Sequence, residues 1–146
     1  MNIQKKKFLS CIKALSDENW NLMVTDKWSV KDVVAHMIGW EKEDPEAIRL
    51  TWKTKQKPWF KKTDDYADFN KSAVDFYKSY RPTELIAELE KWQKRVQETI
   101  DQIGEENLRD YPDLFDWLFD ESEDSHYADH LKQIKFLSET TPHNNA

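Results

Sequence analysis

Apolar residues recur at spacings of three and four along almost the whole chain, and only two glycines interrupt 146 residues. That period belongs to the α-helix, and it nowhere gives way to the alternation of a half-buried strand. The chain is therefore expected to be all-α, a single domain over residues 1–146. A first helix should run from about Ile3 to Leu15, with Phe8, Cys11, Ile12 and Leu15 inward. Ser29 reads as an N-cap, and Asp32 completes a capping box ahead of the stripe Val30, Val33, Val34, Met37 and Ile38. Pro45 should kink or restart that helix, with Asp44 as the fresh cap. Lys53 to Asp64 reads as a loop, and Asp64 as the cap of a helix carrying Tyr66, Phe69, Ala73, Phe76 or Tyr77, and Tyr80. Arg81-Pro82 should break it. Thr83 should cap a long helix with Leu85, Leu89, Trp92, Val96, Ile100 and Ile103, ended by Gly104. A short helix is expected over Pro112 to Phe119, and a last one from between Ser122 and Ser125 to about Glu139. Residues 140–146 are expected to form a disordered tail.

Seven Trp, seven Phe and five Tyr imply a core of large aromatics. The net charge of −6 argues against general nucleic-acid binding, which needs a positive footprint. No apolar run reaches the length of a membrane span. The lone Cys11 permits no internal disulfide and fits a reducing compartment, and no signal sequence follows the basic N-terminus, so a cytoplasmic location is expected. The lysines around Trp59-Phe60 could hold an anionic ligand or single-stranded nucleic acid, although a solvated loop with two aromatics tucked against the bundle is the simpler expectation.

Three of the four histidines carry the chemistry. His126 and His130 stand four apart, one turn apart on one helix face, in line with Ile134 and Leu137. His36 lies at the edge of the stripe formed by Val33 and its neighbours. Inward imidazoles need a hydrogen bond or a metal. Both readings stay open: ordinary buried histidines satisfied locally, or three ligands of one ion with coordination positions to spare. If they share an ion, one nitrogen of each should lie within roughly 5 Å of the others even without it. Any activity that needs the ion should then fall steeply as the histidines protonate below about pH 6. A di-iron bundle site would want two Glu-x-x-His motifs. Glu123-Asp-Ser-His126 is one, but Val33 precedes His36 at that spacing. No His-Glu-x-x-His occurs. Glu41 and Tyr127 are the weaker catalytic candidates. Glu41 fits either a base near the site or a residue at the exposed end of its helix, the latter being favoured. Tyr127 fits core packing, and Asp129 a solvated charge.

The stretch Trp28-Ser-Val-Lys-Asp-Val-Val-Ala-His36 with Trp40-Glu41, then Phe69-Asn70, then His126-Tyr-x-x-His130, resembles the DinB/YfiT-like superfamily over nearly the whole chain. That resemblance implies a four-helix bundle with up-down-down-up order and a long crossover. It also implies a divalent metal (Ni, Zn, Fe or Mn) on His36, His126 and His130. Val30 to Trp40, Phe69-Asn70 and Leu85 to Leu108 are also similar to the ClbS/DfsB branch, which often lacks the histidine at the position of His130. Relatives include thiol-dependent transferases and isomerases and proteins that hydrolyse or sequester reactive small molecules. The expected function is a metal-dependent thiol S-transferase or hydrolase acting on electrophilic small molecules, with a low-molecular-weight thiol as a further cofactor. The alternative is a non-catalytic binding protein of stress or detoxification. The expected partners are a small-molecule substrate and, as one option, a second copy in a homodimer, with neither nucleic acid nor membrane.

Overall fold

The computed structural model describes residues 2–140. The helices are α1 (Ile3–Lys13), α2 (Asp17–Trp20), α3 (Val30–Thr54), α4 (Ala67–Phe76), α5 (Pro82–Ile103), α6 (Glu105–Arg109), α7 (Pro112–Phe115) and α8 (His126–Thr140). Among the described residues there is no strand, only an isolated bridge between Met23 and Ser29. The expected tail falls outside the described residues, except for Thr140, which ends α8.

The long helices α1, α3, α5 and α8 make the bundle, and pairs of contacts fix their directions. Lys31 donates to the Lys78 carbonyl just before α5, and Arg49, further along α3, reaches Thr99, further along α5. These two helices therefore run parallel. Lys13, at the end of α1, pairs with Glu90, whereas Asn2 and Lys5, at its start, line one small cleft with Gln97 and Ile100, so α1 opposes α5. Gln4 donates to the Glu121 carbonyl, and Cys11 faces Lys135, so α8 runs with α1. The order is up-down-down-up, as expected. Two parallel neighbours in sequence need a long crossover, and residues 55–81 supply it.

One core joins Phe8 and Ile12 of α1, Val34 and Ile38 of α3, Leu85 and Leu89 of α5, and Ile134 of α8. A second joins Ile48 with Val96, Ile100, Leu108, Phe115 and Leu118. Cys11 and Leu15, expected inward, lie only partly buried at the edge of the first core. Tyr77 rather than Phe76 is the buried member of its pair.

Some local expectations fail for identifiable reasons. Pro45 does not restart α3, which continues through it for 25 residues. A proline inside a helix costs about 3 kcal/mol, but Ile48 and Thr51 beyond it are fully packed. Asp44 is accordingly no cap. Asp64 does not cap α4 either, because Tyr66 holds that position and Asp65 accepts from the Ala67 N–H. Pro82 sits at N1 of α5, which moves the cap from Thr83 to Arg81. Lys53 and Thr54 belong to α3, whose end is Lys55 in the left-handed region at φ 56°. The loop then holds a 3-10 turn at Trp59–Lys61. The Ser29–Asp32 capping box is present as read.

The short helix α4 lies close against α3. A Cβ placed on Gly39 would stand 2.5 Å from the Ala73 Cβ. Only glycine permits that approach, and the approach brings α4 to the histidines.

Candidate metal centre

His36 projects from the first half of α3 and is buried. His126 is the first residue of α8, set there by Ser125, whose hydroxyl accepts from the Ala128 N–H as an N-cap. The start of α8 is in turn placed by α1, through Asn2 to the Asp120 carbonyl and Gln4 to the Glu121 carbonyl. His130 follows one turn later.

The three rings converge. His126 Nε2 lies 2.9 Å from His36 Nε2 and 3.0 Å from His130 Nε2. One nitrogen of each of the three lies within 4.8 Å of the others, inside the expected limit. His126 is an exposed residue at the start of α8, but its ring turns inward to His36 and is desolvated there, while His130 is half-buried. The apolar line of α8 continues below them in Leu131 and Ile134.

The outer nitrogens are held by side chains. Asn70 Oδ1 accepts from Trp40 Nε1 at 3.0 Å and meets His36 Nδ1 at 2.9 Å. An indole N–H only donates, so the amide must present its oxygen there, and His36 Nδ1 must carry the proton. Gln133 Oε1 meets His130 Nδ1 at 2.8 Å and, as an acceptor, matches a proton on that nitrogen. Both rings therefore aim bare Nε2 lone pairs at His126. A proton on His126 Nε2 can satisfy one of them, not both. A cation would satisfy all three, so the donor set fits a divalent ion with three neutral imidazole ligands.

The environment keeps the rings neutral. Burial, the nearby His130 and, with opposite sign, the Asn70 bond bring His36 down to about 4. His126 is lowered by desolvation and by the two neighbouring rings, and its position at a helix N-terminus acts the same way. His130 is lowered by desolvation, offset by Gln133 and Asp129. The pH near 6 expected for proton competition is thus too high for His36, because an ordinary imidazole value assumes solvent around the ring.

A cleft of about 580 Å³ opens beside His36 and His126. Its walls carry Trp28, Trp40, Phe60, Tyr66 and Trp117, with Tyr127 deeper in. Phe60 is buried, and Trp59 stacks on Trp40 with centroids 5.7 Å apart. Phe60 thus tucks against the bundle as expected, whereas Trp59 stays exposed on the outer side of Trp40.

Glu41 is not at an exposed helix end. It is 2% exposed. The reason is non-local: Lys5 of α1 pairs with its Oε1 at 2.7 Å, and the Tyr127 hydroxyl donates to the same oxygen at 2.7 Å. Tyr127 packs edge-on against Phe8 and directs its hydroxyl to Glu41. Burial and Glu41 raise that hydroxyl well above its usual range, so it stays a donor. Asp129 is exposed, as expected.

Asn70 and Gln133 were not read as partners of the histidines. Gln133 stands three residues from His130, a spacing that could have shown it. Asn70 carried no such local sign, since its partners lie 34 and 30 residues away. Replacing Asn70 with Ala should weaken divalent-ion affinity by about 10- to 100-fold. Competition with a chromogenic chelator measures it, and affinity within threefold of the parent would contradict the role given to Asn70.

No curated protein and no solved structure matches the chain. The DinB superfamily model matches residues 3–123. That span includes His36, Glu41 and Asn70 and ends before α8, so His126 and His130 join the site by geometry and not by the match. With most of its length matched and an all-helical bundle, the chain belongs to the DinB superfamily.

Proposed function

We propose that the protein is a metal-dependent enzyme acting on electrophilic small molecules, by thiol transfer or by hydrolysis. His36, His126 and His130 would hold one divalent ion. The observation that carries this reading is the convergence of three neutral Nε2 atoms at the wall of an open, aromatic-lined cleft. When bound, the ion supplies the charge that acidifies a thiol or a water at neutral pH.

The residues of the chain have separate tasks. Asn70 and Gln133 keep protons on the outer nitrogens and lone pairs on the inner ones. His126, on the wall of the cleft, keeps the centre in reach of it. Trp28, Trp40 and Trp117 shield one side from bulk water and offer flat surface to an organic substrate. Glu41, pinned by Lys5 and Tyr127, would orient a bound group at the deep end rather than act as a free base.

The test is metal analysis of the purified protein, followed by turnover of a panel of electrophiles with and without a low-molecular-weight thiol. The metal-loaded protein should turn over at least one panel member. His36→Ala should lower that rate by more than about a hundredfold. A requirement for thiol assigns transfer, and its absence assigns hydrolysis. Equal rates for variant and parent would remove the histidines from catalysis. Tight ligand binding without turnover would favour a non-catalytic binding protein.

A further inference from the structure

Beyond the histidines, the cleft carries an unbalanced charge. Glu41, Asp44, Asp120 and Asp124 line it, against Lys5 and Lys61. At the deep end, Glu41 and Asp44 stand one turn apart on α3 and share the single cation Lys5. Glu41 Oε1 takes both available donors, Lys5 and Tyr127. Its Oε2 is buried and has no partner. A buried carboxylate oxygen left bare is costly, and the cost falls when a donor or cation reaches it. Gln93, the other polar group here, directs its amide N–H to Tyr127 and brings no donor to Oε2. The aromatic walls above offer ring faces, which attract cations.

We propose that this cleft takes the cationic group of its ligand, an ammonium or a guanidinium, against Glu41 and Asp44, with the aromatic walls around it. The inference deepens the reading above, in that the same cleft is the approach to the histidine centre. The ligand would thus be a molecule with a positive head in the acidic end and a reactive part toward His36 and His126. Asp44 agrees with this assignment: burial and the neighbouring Glu41 hold its carboxyl well above the usual range, and Lys5 offsets only part of that. A second cation is what the pair lacks.

The experiment uses the full chain without added metal. Quenching of tryptophan fluorescence reports binding, because Trp28, Trp40 and Trp117 line the cleft. The probes are phenethylammonium, its neutral counterpart phenethyl alcohol, and the anion phenylacetate. Phenethylammonium should bind at least about tenfold more tightly than the alcohol, and phenylacetate more weakly than either. Asp44→Asn should reduce the preference for the cation to less than threefold, with helical content unchanged by circular dichroism. Asp44→Ser serves if the amide variant does not fold. Equal binding of amine and alcohol, tighter binding of the anion, no binding of any probe, or a preference that survives at Asp44 would each overturn the proposal. Because no ion is added, such a failure leaves the histidine reading standing. Conversely, failure of the metal analysis leaves this binding result intact.

Discussion

Adding zinc or nickel at a hundred times its dissociation constant should raise the melting temperature of the protein by about 5 to 10 °C. A ligand that binds only the folded state stabilises it by about 2.7 kcal/mol at that excess. For a chain of about 150 residues, each kcal/mol shifts the midpoint by roughly 2 to 4 °C. His130→Ala should abolish the shift and leave the metal-free midpoint within a few degrees of the parent. His130 is half-buried, and its bonds run to His126 and Gln133 rather than into the core. The bundle is held by Phe8, Ile12, Val34, Ile38, Leu85 and Ile134, all fully buried. Scanning calorimetry with and without the ion decides the matter. If His130→Ala does not fold, the histidine is a structural element of the bundle and the ligand assignment fails.

The metal-free protein should lose stability as the pH falls from about 6.5 to about 4. His36 is near 4 in the fold and near 6.5 in the unfolded chain. Below 6.5 the unfolded chain takes up a proton that the folded protein refuses, so acid favours unfolding. The slope approaches about 1.4 kcal/mol per pH unit for His36, or roughly 3 kcal/mol across the window. Above 6.5 this contribution is flat. His126, lowered by desolvation and by the two neighbouring rings, acts in the same direction. Asp44 acts in the opposite direction: its raised carboxyl takes up a proton in the fold first, which favours folding in acid. The comparison that isolates the histidine is therefore wild type against His36→Gln. Urea unfolding at several pH values should show a flatter profile for the variant. Parallel profiles would mean that His36 titrates normally in the fold.

What could be read from the chain followed the range of the interaction. The pair His126 and His130 is a matter of one helical turn, and the Ser29–Asp32 cap spans three residues, so both were legible. The bundle order came from the resemblance, and the contacts of Lys31, Arg49, Lys13 and Gln4 bear it out. Glu41 misled because its helix alone does not explain its burial. Its partners sit 36 residues before it and 86 after it, and no periodicity signals them. Asn70 was quoted in a motif without a role for the same reason. Pro45 misled differently: a local rule was outweighed by packing further along α3.

The parallel pair α3 and α5 has a consequence for how such a chain can diversify. Two parallel helices next to each other in sequence oblige the chain to travel back along their whole length. In this protein the returning segment, residues 55–81, delivers Phe60, Lys61, Tyr66 and Asn70 to the mouth of the cleft. The bundle order thus forces a roof over the site, anchored to the cores at Phe60, Ala73 and Tyr77 and exposed over Lys61 to Asp65 between them. Changes of length or sequence in that stretch can retune which molecules are admitted while the scaffold beneath stays as it is. Grafting the crossover of one bundle of this order onto another is therefore a natural route to transferring its choice of ligand.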